Sequence, residues 1–316
     1  MNMIEQQPLL DADTTNSSCN EIWLLGQPPL ERYLDFIGDT VIGAANLDRK
    51  ALTDEWRTAN DYYDELEQTE AGYAEQTPHQ ELNPLMDALA AKVKIDSRYL
   101  HTFDTLPTTI GMVELARLVV YQTHVTGNFI ESLKARLGCA PDPQTLFNFC
   151  LPLTHPDAPV QIQQVGAKRY VFRSGSTDFR FQKSTLLRPE QIQDFETFGP
   201  IAGVVGVAVG FGSNFLNVIR GENRLLLHNG YHRACALLAL GITHAPCVIQ
   251  DVTRLDELEI TIKREVAQNS AFYFKSARPP VLKDFFDPRI RKVLPTRNMQ
   301  RMVEVNFEVR EYLVPA

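Results

Sequence analysis

No stretch of this 316-residue chain reaches the roughly 18 uninterrupted apolar residues that a membrane-crossing helix requires, so no membrane span is expected. The start, MNMIEQQPLLDADTTNSSCNE, also lacks a basic segment followed by an apolar one, the mark of a secretory leader, and the expectation is a cytoplasmic protein. Cysteine is sparse. Cys19, Cys139, Cys150, Cys235 and Cys247 are odd in number and contain no CxxC, which argues against a zinc ribbon, a redox dithiol or a disulfide framework and for free, mostly buried thiols.

Basic charge is short in the first half of the chain. Residues 1–150 hold 23 acidic and 10 basic residues, whereas residues 151–316 hold 16 and 21. An acidic half repels a nucleic-acid backbone, and a mildly basic half suits a small anion, so long nucleic acid is disfavoured as a partner. With 44% hydrophobic residues the chain can bury one large core or two ordinary ones, and two domains are expected.

Residues 1–20 are polar and read as a flexible lead-in. From Trp23 to Cys150 the pattern is helical. Leu30, Tyr33, Leu34 and Ile37 share a helix face after Pro28-Pro29, a second run covers Leu52–Leu66, and Pro84–Val93 follows a loop containing Gly72 and Pro78. A further helix is expected from Met112 through Leu115, Ala116, Val119 and Val120 toward Leu137, stopped by Gly138. This gives a helical domain over 21–150.

Proline-rich LPLTHPDAPVQ marks the boundary near Leu151, and strands are expected at Gln161–Val165, Tyr170–Phe172, Ile201–Val209, Asn214–Arg220 and Arg224–His228. A helix from Tyr231 to about Leu240, closed by Gly241, leads to a strand over Ala245–Val252. An amphipathic helix over Leu255–Phe274 and a strand near Met302–Val309 complete a second domain, 151–316. The fold class expected is α+β, a helical domain followed by a mixed one.

The most specific feature is the strand–Gly–helix turn Asn229-Gly230-Tyr231-His232-Arg233. Asn229 can cap the helix, Gly230 permits positive φ or close backbone approach, and first-turn N–H groups are anion donors. Arg233 can grip a phosphate with its planar fork, and His232 can donate or shuttle a proton. A plain structural turn, with Arg233 in a salt bridge and His232 bonded to backbone, accounts for the same residues.

Gly230-Tyr231-His232-Arg233 followed by Gly241-Ile242-Thr243-His244-Ala245-Pro246-Cys247-Val248 resembles the ParB/sulfiredoxin superfamily, over about residues 160–280. The resemblance implies that Asn229, Gly230, Tyr231, His232 and Arg233 hold the phosphates of ATP or ADP, with CTP an alternative and Mg2+ accompanying the nucleotide. Leu187-Arg188-Pro189-Glu190-Gln191-Ile192 is similar to the family's first box, where free serine kinases use a glutamate. Glu190 and His232 are therefore the candidate catalytic residues, and the implied activity is phosphoryl transfer to a small metabolite. Three departures matter. Tyr231 replaces the sulfiredoxin cysteine, no helix-turn-helix follows as in ParB, and Asn229 stands where kinase-type members often have Asp, removing a carboxylate base and magnesium ligand. Nucleotide or nucleic-acid binding without turnover, and an inactive scaffold, stay open.

Arg173, Ser174, Ser176, Thr177 and Arg180 form a second candidate anion-binding group, which a polar hairpin turn explains as well. The glycines of Gly203–Gly212 lie in an apolar strand-like run without a following helix, which points to close strand packing rather than a dinucleotide fingerprint. His228 and His232 are four apart, but Asn229-Gly230 breaks the helix between them and no third ligand lies nearby, so no metal site is expected. Lys263 and Arg264 read as a solvated face, and Tyr121-Gln122-Thr123-His124 as part of a helix lining a cleft, with His124 an interior histidine.

Overall fold

The computed structural model describes residues 18–27, 29–75, 80–154, 159–176, 178–192, 199–262 and 264–315. The lead-in up to residue 17, Pro28, Pro78, Thr177 and Lys263 lie outside them. The fold is mixed α+β. The described strands are β1 (Cys19–Leu24), β2 (Thr108–Glu114), β3 (His124–Thr126), β4 (Val160–Gly166), β5 (Arg169–Ser174), β6 (Phe179–Leu187), β7 (Val204–Phe211), β8 (Asn217–Gly221), β9 (Arg224–Asn229), β10 (His244–Asp251), β11 (Arg291–Thr296) and β12 (Arg301–Asn306). The helices are α1 (Leu30–Thr40), α2 (Arg49–Thr69), α3 (Pro84–Lys94), α4 (Ser97–Thr102), α5 (Gly127–Leu137), α6 (Pro143–Cys150), α7 (Tyr231–Ala239), α8 (Leu255–Glu259), α9 (Arg264–Gln268) and α10 (Ser270–Lys275).

Two compact units result. The first comprises Met1–Lys92, Phe103–Leu151 and Phe215–Asn298; the second comprises Val93–Thr102, Pro152–Asn214 and Met299–Ala316. One seam coincides with the expected boundary at Leu151, but the first unit draws on both halves of the sequence. Its sheets are ordered β11-β1-β3 and β2-β10-β8-β9, so strands from the segment read as all-helical pair with strands over a hundred residues later.

Two sequence readings of that segment change. Met112–Val120 is not helical: β2 pairs antiparallel with β10, Glu114 opposite His244 and Thr108 opposite Gln250, and a 3-10 turn at Leu115–Arg117 follows. Thr108, Thr109, Ile110 and Val113 are strand-favouring, and a strand running into a tight turn mimics helical spacing at Met112, Leu115 and Val119. Tyr121–Thr123 is also not helical, His124 opens β3, and the helix begins only at Gly127, ending as expected before Gly138, whose φ is +77°. Pro246 is tolerated inside β10 because its opposite number, Met112, exchanges both backbone bonds with Gln80 (2.9 and 3.1 Å).

Burial explains the packing of the first unit. Trp23, Tyr33, Ile37, Leu52, Tyr63 and Leu66 join β1, α1 and α2 to Ile290 and Leu294 near and on β11. A second cluster joins Val119, Ile219 and Leu226 to Leu258, Ile262, Val266 and Phe274. The helix expected over Leu255–Phe274 is broken into α8, α9 and α10. Thr261 Oγ1 donates to the Glu257 carbonyl (2.8 Å) and Asn269 Nδ2 to the Glu265 carbonyl (2.9 Å), side-chain bonds that compete with a continuous helical ladder.

In the second unit β5 is flanked by β12 and β4, and β6 pairs with β7 as a two-stranded ribbon. β6, absent from the strands expected from alternation, is nine residues long and ends at Leu187. A Cβ would lie 2.8 Å from the ends of the Asp178 and Arg180 side chains at Gly212 and 3.1 Å from the Leu187 carbonyl oxygen at Gly203, but at an ordinary 3.6 Å from its nearest neighbour at Gly206, so close packing accounts for part of the glycine run. Among the described residues no helix is long and apolar enough to cross a membrane.

Candidate functional site

The expected turn is present where β9 meets α7. Gly230 is the N-cap residue with φ +95°, and a Cβ there would sit 2.6 Å from Leu216 Cδ1, so both backbone angle and space require glycine. The first intrahelical bond runs from Ala234 N to Gly230 O (2.9 Å), and the N–H groups of Tyr231, His232 and Arg233 precede that ladder.

The side chains turn inward. Asn229 does not cap the helix: it ends β9 opposite Asn217, beside a bulge, and its Nδ2 donates to Phe215 O (3.1 Å). Tyr231, 4% exposed, donates to Leu227 O (2.7 Å) and accepts from the N–H groups of Tyr121 (3.1 Å) and Gln122 (3.3 Å). Its hydroxyl thus ties the start of α7 to the segment ahead of β3, and burial raises its pKa well above the ordinary phenol value.

Arg233 is 6% exposed, and its Nη1 donates to the carbonyls of Phe149 (3.2 Å) and Cys150 (2.9 Å). Those are the last carbonyls of α6, where a cation also meets the negative end of the helix dipole. Of the two sequence readings for Arg233, a phosphate fork or a structural contact, these bonds describe the second, with helix carbonyls in place of a salt bridge. His232 Nε2 accepts from Thr126 N (3.0 Å), so the proton of the neutral ring is on Nδ1. Burial, helped by His124 and Arg233, pushes the His232 pKa down to about 4. At neutral pH the ring is uncharged and its Nε2 lone pair is engaged, so it neither donates from Nε2 nor offers a free base there.

Residues outside the motif complete the neighbourhood. Thr126 is the N-cap of α5, its Oγ1 donates to Glu21 Oε1 (2.7 Å), and burial raises the Glu21 pKa despite that bond. His124 stacks on Trp23 (centroids 5.1 Å, 7°), and burial lowers its pKa to about 4. Phe129 meets the His232 ring edge-on at 5.2 Å. Thr126-Gly127-Asn128 ahead of an apolar run was a legible helix start; Glu21 carried no signal, because only β1–β3 pairing brings it opposite Thr126.

The other candidates belong to the second unit. Glu190 is exposed in a single 3-10 turn, Pro189–Gln191, of the second unit, whereas the 229–233 turn belongs to the first. Ser174 Oγ donates to Pro159 O (3.1 Å) and accepts from Ser176 N (3.3 Å), Ser176 Oγ accepts from Asp178 N (3.3 Å), and Arg180 pairs with Asp178. These are the bonds of a polar turn between β5 and β6. Arg173 lies half-buried on β5. Among the described residues no group of three or more His, Cys, Asp or Glu is arranged to share a metal ion. The turn contains no carboxylate, and the Asn229 amide is engaged with Phe215, so these residues do not make a magnesium site.

No protein-family model matches the chain, and no curated protein or solved structure matches it either.

Proposed function

We propose that the chain binds the phosphates of a purine nucleotide at the N-terminal turn of α7, through the backbone around Gly230, and acts as a phosphotransferase toward a small metabolite. The observation that carries this reading is Gly230, held at φ +95° in a strand-to-helix turn where a Cβ would lie 2.6 Å from Leu216 Cδ1. Such a turn presents helix-start N–H groups to an anion. The ParB/sulfiredoxin-like pattern of Gly230-Tyr231-His232-Arg233 and Gly241–Val248 supports it further. In this reading Arg233 and Tyr231 position the turn.

Binding without turnover, as nucleotide-responsive module or scaffold, is favoured by two particulars: the amide Asn229 offers no carboxylate, and the Nε2 of His232 is occupied by Thr126. Titration calorimetry with ATP, ADP and CTP, each with and without magnesium, tests the common core. Binding by the wild type that is lost in Gly230→Ala, with the variant still folded, is the expected result; no binding of any nucleotide would overturn it. Turnover of bound ATP separates the readings, since phosphotransferase chemistry predicts loss of the γ-phosphate to an acceptor and a binding module predicts none.

A further inference from the structure

A cleft of about 590 Å³ opens in the first unit along the seam between α5 and α7, bounded also by β1, β11 and the 3-10 turn Leu282–Phe286. This volume falls within the roughly 300–1,000 Å³ of small-molecule sites. Its floor is apolar: Ile130, Cys235 and Phe285 are buried core residues, and Ala239 forms part of the wall.

The polar groups on this cleft are mostly cationic or donors. Lys134, whose side chain is 26% exposed, and the half-buried Arg291 both line it. Glu131 is the lining carboxylate, 2.9 Å from Lys134 Nζ, and its side chain is 68% exposed. An ion pair of that kind is worth little in water, so an incoming anion can displace it. Arg291 donates to Phe285 O through Nη1 (3.1 Å), which anchors the guanidinium on the cleft wall with Nε and Nη2 beyond that bond. Asn128 Oδ1 is engaged by Asn20 N (2.7 Å), so the amide's acceptor is used while its Nδ2 is a donor.

From this pairing of an apolar floor with Lys134 and Arg291, we infer that the cleft is a ligand site for a small organic anion with an apolar body, a carboxylate or sulfonate on an aromatic or branched aliphatic frame. Burying the apolar body supplies affinity, and the two cations orient the charged end. The site is distinct from the turn at Gly230 and does not rest on the nucleotide reading.

The probe for the test is 1-anilinonaphthalene-8-sulfonate, followed by its fluorescence, with uncharged N-phenyl-1-naphthylamine as the matched neutral compound. The full chain is expected to bind the sulfonate at one site, and the neutral compound about ten-fold more weakly, as loss of a charge-assisted contact implies. Lys134→Gln should weaken the sulfonate by a similar factor of about ten. Ala239→Phe should block the cleft, while Arg57→Gln, a charge change on an exposed face of α2, should leave binding unchanged. Circular dichroism checks that each variant is folded, and Lys134→Gln keeps the test decisive if Ala239→Phe is not. Absence of one-site binding, equal affinity for the neutral compound, or full binding by folded Lys134→Gln would overturn the assignment.

Discussion

At the scale of single residues, the turn at 229–233 is built from groups whose freedom has been removed. Gly230 combines a positive φ with a void too small for a methyl group, so Gly230→Ala is expected to destabilise by about 2–4 kcal/mol, the sum of overpacking and left-handed backbone strain. Denaturant unfolding measures this directly. His124 and His232 are both held neutral, with pKa values of about 4 against 6.5 for a free histidine. Between those values the unfolded chain binds more protons than the folded one, so stability is full above pH 6.5 and is lost as pH falls toward about 4. Glu21, with its raised pKa, works the other way: its contribution falls as pH rises above its ordinary 4.5. His232→Gln, which keeps a side-chain acceptor for Thr126 N, should flatten the loss below pH 6.5. A melting series from pH 7.5 to 4 that shows the same slope for both proteins would contradict the assignment.

At the scale of elements, the ends of helices are where buried charges are spent. Arg233 closes the C-terminus of α6, so Arg233→Met, which keeps the stem and removes the two carbonyl bonds, should cost about 1–3 kcal/mol. Its amide exchange should accelerate first at the end of α6. A second latch lies before the 3-10 turn at Leu282–Phe286. Arg278, fully buried, makes two bonds to Asp284 (2.8 and 2.7 Å) and one to Glu70 on the residue following α2 (3.0 Å). Asp284 also accepts from Val281 N (2.9 Å) and Tyr63 (3.4 Å), and Lys283 binds Glu70 (2.7 Å) over the Tyr73 ring. Arg278→Leu leaves the Asp284 carboxylate buried without its counter-charge, and about 3–5 kcal/mol of destabilisation is expected. Converting Asp284 to Leu as well should recover part of that loss; a double variant no better than the single one would mean that packing, rather than the unpaired charge, sets the cost.

At the scale of the whole molecule, the two sheets of the first unit interlock the halves of the chain. β10 lies between β2 and β8, and β1 lies between β11 and β3. A fragment of residues 151–316 lacks β1, β2 and β3 and would leave one edge of β10 and one of β11 bare, with the Trp23 cluster emptied. Such a fragment is expected to show no cooperative unfolding transition for the first-unit sheets, and co-expression with residues 1–150 should restore one. Strong amide-exchange protection of β8, β9, β10 and β11 in the isolated 151–316 fragment would refute the interlock.

Local patterns in the sequence determined α1, α2, α3, β9, α7 and β10, because each is bounded by its own proline, glycine or periodic apolar face and needs no distant partner to be read. They also determined the turn itself, since positive φ at Gly230 is a property of one residue and its neighbours. The tertiary structure decided what those residues do. Arg233 and His232 were legible as a cation and a titratable ring, but the acceptors of Arg233 are carbonyls more than eighty residues away, and the donor to His232 is the backbone of Thr126. Sequence spacing could not distinguish a helix from the strand-plus-turn at Thr108–Arg117, because the choice is made by pairing with β10, whose backbone groups satisfy those of β2 only when the two lie side by side.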